Sequence, residues 1–252
     1  MLKLSWRFVV ACGIALMLST ILLAADPQAP IKTETYKSAV KVSCVGDSIT
    51  VGVCSAPASW PVQLGVMLGE KWEVKPFGVS GATLLNSGDK PYQKEDACKN
   101  ALESAPDVVI ICLGSNDTKP GNWSHKEQFV KDYKELVEKF QKLESKPRIF
   151  ISYAPFVEGT GNYGINEAAI KEQKPMIDKV AKDLHVGIIN MHDTLAIASG
   201  KNQKVFADKV HPTKEGAELI AKSVFKVLTG KEYSGPSTLN AGSDGGKEKK
   251  SK

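Results

Sequence analysis

Between residues 40 and 228 short apolar runs alternate with longer stretches of helical periodicity, and this alternation leaves the chain very few architectures. Strand-like runs occupy 40–45, 72–77, 108–113, 148–152 and 186–189, and helical patterns occupy 60–69, 125–143, 166–184 and 213–228. In the second helix Phe129, Tyr133, Leu136, Val137 and Phe140 recur at steps of three and four, leaving lysines and glutamates for the opposite face. Runs that are apolar throughout belong to strands buried on both sides, and helical connections between them make those strands parallel. The expectation is a single-domain α/β fold, a three-layer α/β/α sandwich around a five-stranded parallel sheet. With 252 residues, 42% of them hydrophobic and 24% charged, the chain can build one sizeable core.

The ends read differently. Met1 to Arg7 is short and basic, and an 18-residue apolar run from Phe8 closes on Ala24 and Ala25. That is the layout of a secretory signal peptide over 1–25, with cleavage favoured over retention as an anchor because no basic cluster follows. The chain is therefore expected to be exported, to the periplasm or beyond, with no stable membrane insertion after cleavage. Only four apolar residues precede Cys12, too few for a lipoprotein cleavage box. Residues 26–37, with Pro27 and Pro30, read as a linker, the domain spans 38–233, and the Gly-, Ser- and Lys-rich stretch 234–252 reads as a disordered basic tail. Of the net charge of +5, Lys3 and Arg7 supply two units and the tail two more, so the domain has no basic face for nucleic acid.

Export also bears on the cysteines. Cys44 and Cys112 lie in apolar runs and read as small buried hydrophobes, whereas Cys54 and Cys98 lie in polar segments. An oxidising compartment permits a Cys54–Cys98 disulfide, which stands beside two free thiols as the alternative outcomes.

Active-site groups of a doubly wound sheet gather at the carboxyl ends of its strands. After the first strand comes Gly46-Asp47-Ser48, where Ser48 is either a nucleophile or an ordinary capping serine. It lacks the Gly-x-Ser-x-Gly elbow, because Thr50 stands in place of the second glycine. A serine nucleophile needs an imidazole, and the imidazole needs an acceptor. His125 and His185 read as surface residues and His192 as a structural one. His211 follows Asp208 by three residues just before a helix, a spacing that lets the carboxylate reach the ring nitrogen facing away from the serine. Asn116, in Gly114-Ser115-Asn116-Asp117, and Gly81, in Gly78-Val79-Ser80-Gly81, offer N–H groups to a developing oxyanion. Asp47 and Asp117 are assigned to loop hydrogen bonds, and Ser80 is the reserve nucleophile. No Cys-x-x-Cys, His-x-His or His-Glu-x-x-His spacing occurs, so neither metal nor cofactor is expected.

Taken together and in order, the Gly-Asp-Ser, Gly, Gly-x-Asn-Asp and Asp-x-x-His blocks resemble the SGNH (GDSL-type) serine hydrolases over nearly the whole of 40–228. The resemblance implies a flavodoxin-like fold and a triad of Ser48, His211 and Asp208. It also implies an oxyanion hole made by the Ser48 and Gly81 backbone N–H groups and the Asn116 amide. The stretches 77–85 and 114–123 further resemble bacterial carbohydrate acetylesterases of the sialate O-acetylesterase-like branch. That points to an ester, most simply an O-acetylated glycan, as substrate, with Trp123 either stacking on a sugar or packing on its own loop. A lysophospholipase or thioesterase of the same fold, and a secreted sugar-binding domain without turnover, are the rival readings.

Overall fold

The computed structural model describes residues 26–243. The expected signal segment 1–25 and the last nine residues of the tail lie outside them.

Five parallel strands form the sheet: β1 (Val40–Gly46), β2 (Trp72–Gly78), β3 (Val108–Cys112), β4 (Arg148–Ser152) and β5 (Gly187–Ile189). Their order is β2-β1-β3-β4-β5. The helices are α1 (Ser48–Val51), α2 (Trp60–Leu68), α3 (Asp96–Glu103), α4 (Pro120–Trp123), α5 (Phe129–Gln141), α6 (Glu167–Leu184), α7 (Met191–Gly200) and α8 (Lys214–Thr229). Side chains alternate across the central strand, as the pleat requires. Val108, Ile110 and Cys112 enter one core layer with Leu64 of α2, Leu195 of α7 and Ile220 and Val224 of α8. Val109 and Ile111 enter the other with Ala101 of α3, Tyr133, Leu136 and Phe140 of α5 and Ile177 of α6. β2 pairs only with β1 and is half-exposed, which is why its ladder tolerates Pro76. Thr213 caps α8 by accepting the Gly216 N–H at 3.2 Å, and Asn166 caps α6 by accepting from Ala169 at 2.9 Å.

Both flanking segments depart from expectation. The supposed linker packs on the domain: Ile31 is buried, and Arg148 donates to the Pro27 and Ala29 carbonyls at 2.9 and 3.1 Å. The Gln28 amide meanwhile donates to the Ile188 carbonyl and accepts its N–H, imitating a neighbour for the edge strand β5. The supposed disordered tail is docked at its start. Thr238 is only 3% exposed; its N–H donates to Glu218 Oε1 at 2.8 Å and its hydroxyl to Gln63 Oε1 at 2.6 Å, joining α8 to α2. Composition reports that these segments bring little apolar surface, but polar side chains of distant elements hold them. Among the described residues no helix is long and apolar enough to cross a membrane.

Candidate active site

In this strand order the chain leaves β1 toward one edge of the sheet and returns beside it as β3, so a crevice opens between their carboxyl ends. Ser48 is the first residue of α1, directly after β1. The turn into it is tight: a Cβ on Gly46 would meet Thr50 Oγ1 at 2.1 Å, and one on Gly78 would meet the Val51 N at 2.7 Å. Asp47 caps α1 by accepting the Ile49 N–H at 2.9 Å, and the Ser48 N–H, in the first turn, has no intrahelical acceptor.

Asp208 and His211 arrive from the turn before α8. Lys209 takes the left-handed conformation (φ 70°) that reverses the chain. Asp208 Oδ1 accepts the Val210 and His211 N–H groups at 3.1 and 2.7 Å, while Oδ2 meets His211 Nδ1 at 2.7 Å. Burial opposes ionisation of Asp208, but these bonds outweigh it and hold its carboxyl below the usual range. With its Nδ1 proton directed at Asp208, the ring turns an Nε2 lone pair to Ser48 Oγ, 2.9 Å away. The fold thus brings together three side chains, the outermost pair 163 positions apart in sequence.

Gly81 and Asn116 complete the crevice. Gly81 has φ 82°, and a Cβ there would touch only Lys90 Cδ, at 3.8 Å, so its backbone faces open space. Asn116 Nδ2 donates to the Ala82 carbonyl at 3.1 Å and, weakly at 3.4 Å, to Asp47 Oδ2. Asp117 is fully buried and accepts the Leu84 and Leu85 N–H groups at 3.0 and 2.7 Å, tying the loop after β3 to the loop after β2. Burial raises the Asp47 carboxyl to about 6 and the Asp117 carboxyl to about 7. Ser80 also faces the crevice, but the imidazole bonds Ser48. The crevice holds about 250 Å³ and is walled by Val53, Lys119, Tyr163 and Ile165 besides the residues above. A larger groove of about 650 Å³ beside α8 shares none of these residues.

Two expectations need correction. Cys54 and Cys98 are both free thiols. Cys98 is on the buried face of α3, in the layer shared with α5, while Cys54 is exposed beside Asp208 and His211, so the fold separates them. Trp123 does not line the crevice: it packs edge-on against Phe129, with 5.5 Å between ring centroids, and donates to Glu172 at 2.9 Å. The aromatic at the mouth is instead Tyr163, 66% exposed, with its ring centroid 5.8 Å from that of His211. Nothing in the periodicity marks Tyr163; its one signal is an aromatic inside the glycine-rich run 159–164. His192 is buried between Glu167 and Asp193, at 2.7 and 2.8 Å.

Residues 44–219 match the GDSL-like Lipase/Acylhydrolase family. Over 209 residues the chain is 34% identical to an acetylxylan esterase of Xylanibacter ruminicola, an alignment covering 75% of this chain and 43% of that protein. The chain thus spans less than half the length of that curated relative. Among solved structures it resembles the acetyl xylan esterase AlAXEase, with a TM-score of 0.62 and 22% identity over 75% of this chain and 100% of that one. It also resembles Est24, a carbohydrate acetylesterase from Sinorhizobium meliloti, with a TM-score of 0.61 and 19% identity over 74% and 97% of the two chains. At these identities the structural likeness speaks for the fold.

Proposed function

The chain belongs to the GDSL-like lipase/acylhydrolase family, and from that premise we propose that it is a serine esterase removing acetyl groups from carbohydrate. The observation that carries this reading is the unbroken relay from Ser48 Oγ through His211 to Asp208, set at the mouth of a small crevice. In the reaction His211 Nε2 takes the hydroxyl proton as Ser48 Oγ attacks the ester carbonyl, and Asp208 steadies the imidazolium. The Ser48 and Gly81 N–H groups and one Asn116 amide N–H receive the negative charge on the carbonyl oxygen. The contact of Asn116 with Asp47, at 3.4 Å, is weak, so that N–H is cheaply redirected to the oxyanion. His211 then protonates the departing sugar oxygen, which leaves as a hydroxyl, and water repeats the sequence to release acetate.

A volume of about 250 Å³ walled by Val53 and Ile165 suits a short acyl group better than a long chain. Tyr163 presents an open aromatic face beside the crevice on which a sugar can stack, a part that was one of the two alternatives for Trp123. The name of the relative, acetylxylan esterase, supports an acetylated plant polysaccharide, and export would bring the enzyme to it. Acetate release from acetylated xylan and from a panel of acetylated oligosaccharides tests this directly. Turnover should be lost in Ser48→Ala, and acetyl esters of p-nitrophenol should be favoured over octanoyl esters. A preference for octanoyl or longer chains would replace this reading with a lysophospholipase or thioesterase. Absence of turnover together with retained glycan binding would replace it with a sugar-binding domain.

A further inference from the structure

Cys54 has no part in the reaction just described, yet the fold places it against two groups that do. It follows α1 in a left-handed conformation (φ 68°) and is the exposed thiol among the described residues. Its Sγ, a carboxylate oxygen of Asp208 and a ring nitrogen of His211 all lie within 4.8 Å of one another. Thiolate, carboxylate and imidazole are the three donor types that zinc takes, and three protein ligands with an open fourth position are a common zinc arrangement. Four-coordinate zinc holds such donors about 3.5 Å apart, inside the 4.8 Å that bounds these three, so closing the site calls only for side-chain adjustment. Rotation of the exposed Cys54 side chain can supply it. A carboxylate beside a thiol repels the thiolate, and a divalent cation bound to both removes that repulsion. Thiolate and imidazole together favour zinc or cadmium over magnesium or calcium.

We propose that Cys54, Asp208 and His211 form a site for a thiophilic divalent cation, Zn²⁺ foremost, and that its occupation reversibly switches off the esterase. On binding, the sulfur–metal bond replaces the S–H bond and the thiol proton passes to solvent. A neutral imidazole has one nitrogen lone pair, so whichever nitrogen the metal takes, none remains to accept the Ser48 proton. Bound at Nε2 the metal blocks it directly; bound at Nδ1 it leaves the ring proton on Nε2, facing Ser48. The loss of activity rests on the reading of His211 as general base, whereas cation binding does not.

The test uses the full chain, in non-chelating buffer, as wild type, Cys54→Ser and Cys54→Ala. Zn²⁺ should abolish hydrolysis of p-nitrophenyl acetate by the wild type, and a chelator should restore it. The Cys54 variants should keep the basal rate but need about tenfold more Zn²⁺ or above, since losing even an indirect support of a metal site costs about that much affinity. In parallel, Cd²⁺ should give an ultraviolet thiolate-to-cadmium charge-transfer band in the wild type and in Ser48→Ala, but not in Cys54→Ser. If the chain hydrolyses no ester, the esterase reading fails and the cadmium band alone decides the site. If it does hydrolyse esters, equal zinc sensitivity in wild type and Cys54→Ser, or a band unchanged in Cys54→Ser, overturns the cation site.

Discussion

At Asn116 a single amide has two duties. One N–H holds the Ala82 carbonyl and so keeps Gly81 in place, while the other, loosely held by Asp47, is the one assigned to the oxyanion. Asn116→Ala removes both, and loss of an oxyanion donor costs about 100-fold or more in kcat. KM for p-nitrophenyl acetate should change far less, because the ground-state carbonyl carries little charge. A variant that keeps wild-type kcat would remove Asn116 from the chemistry. Sequence alone made Asn116, Gly81 and Ser48 candidates because each follows a strand, yet none stands out singly: a serine there is as often a cap, a glycine as often a turn. What selected them was the order of four blocks. The same local reasoning failed at Trp123 and Cys54, whose polar loop settings carry no information about which neighbours the fold supplies.

Among the elements, all five strands and the helices α2, α5, α6 and α8 were legible, and α1, α3, α4 and α7 were not. The strands β1, β3 and β4 and the helices α5, α6 and α8 lie within a few residues of expectation, since each has enough apolar positions to set a phase. Helices α1 and α4 are four residues each, α3 buries only the small Cys98 and Ala101, and α7 begins immediately after β5 without a clear stripe, so their patterns are too weak to read. The loop 159–164 was equally invisible. It holds Tyr163 at φ 64°, a left-handed conformation unfavourable for an aromatic residue, and cross-links it to the turn that carries Asp208 and His211 through the bond from Asn162 Nδ2 to the Asp208 carbonyl at 2.8 Å. Backbone held in this way over a crevice implies a use for the ring. Tyr163→Ala should raise KM for an acetylated xylo-oligosaccharide by about 2- to 13-fold, the effect of losing about 0.5–1.5 kcal/mol of aromatic contact. Tyr163→Phe should retain wild-type KM, and neither change should move kcat on p-nitrophenyl acetate much. An equal KM increase on both substrates would make Tyr163 a general wall of the crevice instead of a sugar platform.

Across the whole molecule, the same convergence of strand ends that assembles the crevice buries two carboxyl groups beyond the ends of β1 and β3, and this gives folding a pH dependence of definite sign. Burial raises Asp47 to about 6 and Asp117 to about 7 from an ordinary 3.8, so between about pH 4 and 7 the folded chain holds protons that the unfolded chain has released. Stability from these two groups is therefore full below about pH 4 and is lost as the pH rises through 6 and 7. Asp208, Glu167 and Glu218 act in the opposite sense: burial works against them, but hydrogen bonds hold each below its usual range, and their contribution is lost on acidification. The melting temperature should accordingly peak on the acid side of neutrality and fall toward pH 8. Asp117→Asn isolates the cause. Leu84 and Leu85 donate to different oxygens of Asp117, and the amide puts an NH2 in place of one of them, which should cost about 1–3 kcal/mol at pH 5 for the N–H left unpaired. Because the variant has no group to titrate there, it should lose less stability between pH 5 and 8, and its deficit against the wild type should shrink over that interval. Melting curves at both pH values read this directly. A deficit that grows with pH would mean that the two backbone donors, and not burial, govern Asp117, and that the carboxylate is the form this fold prefers.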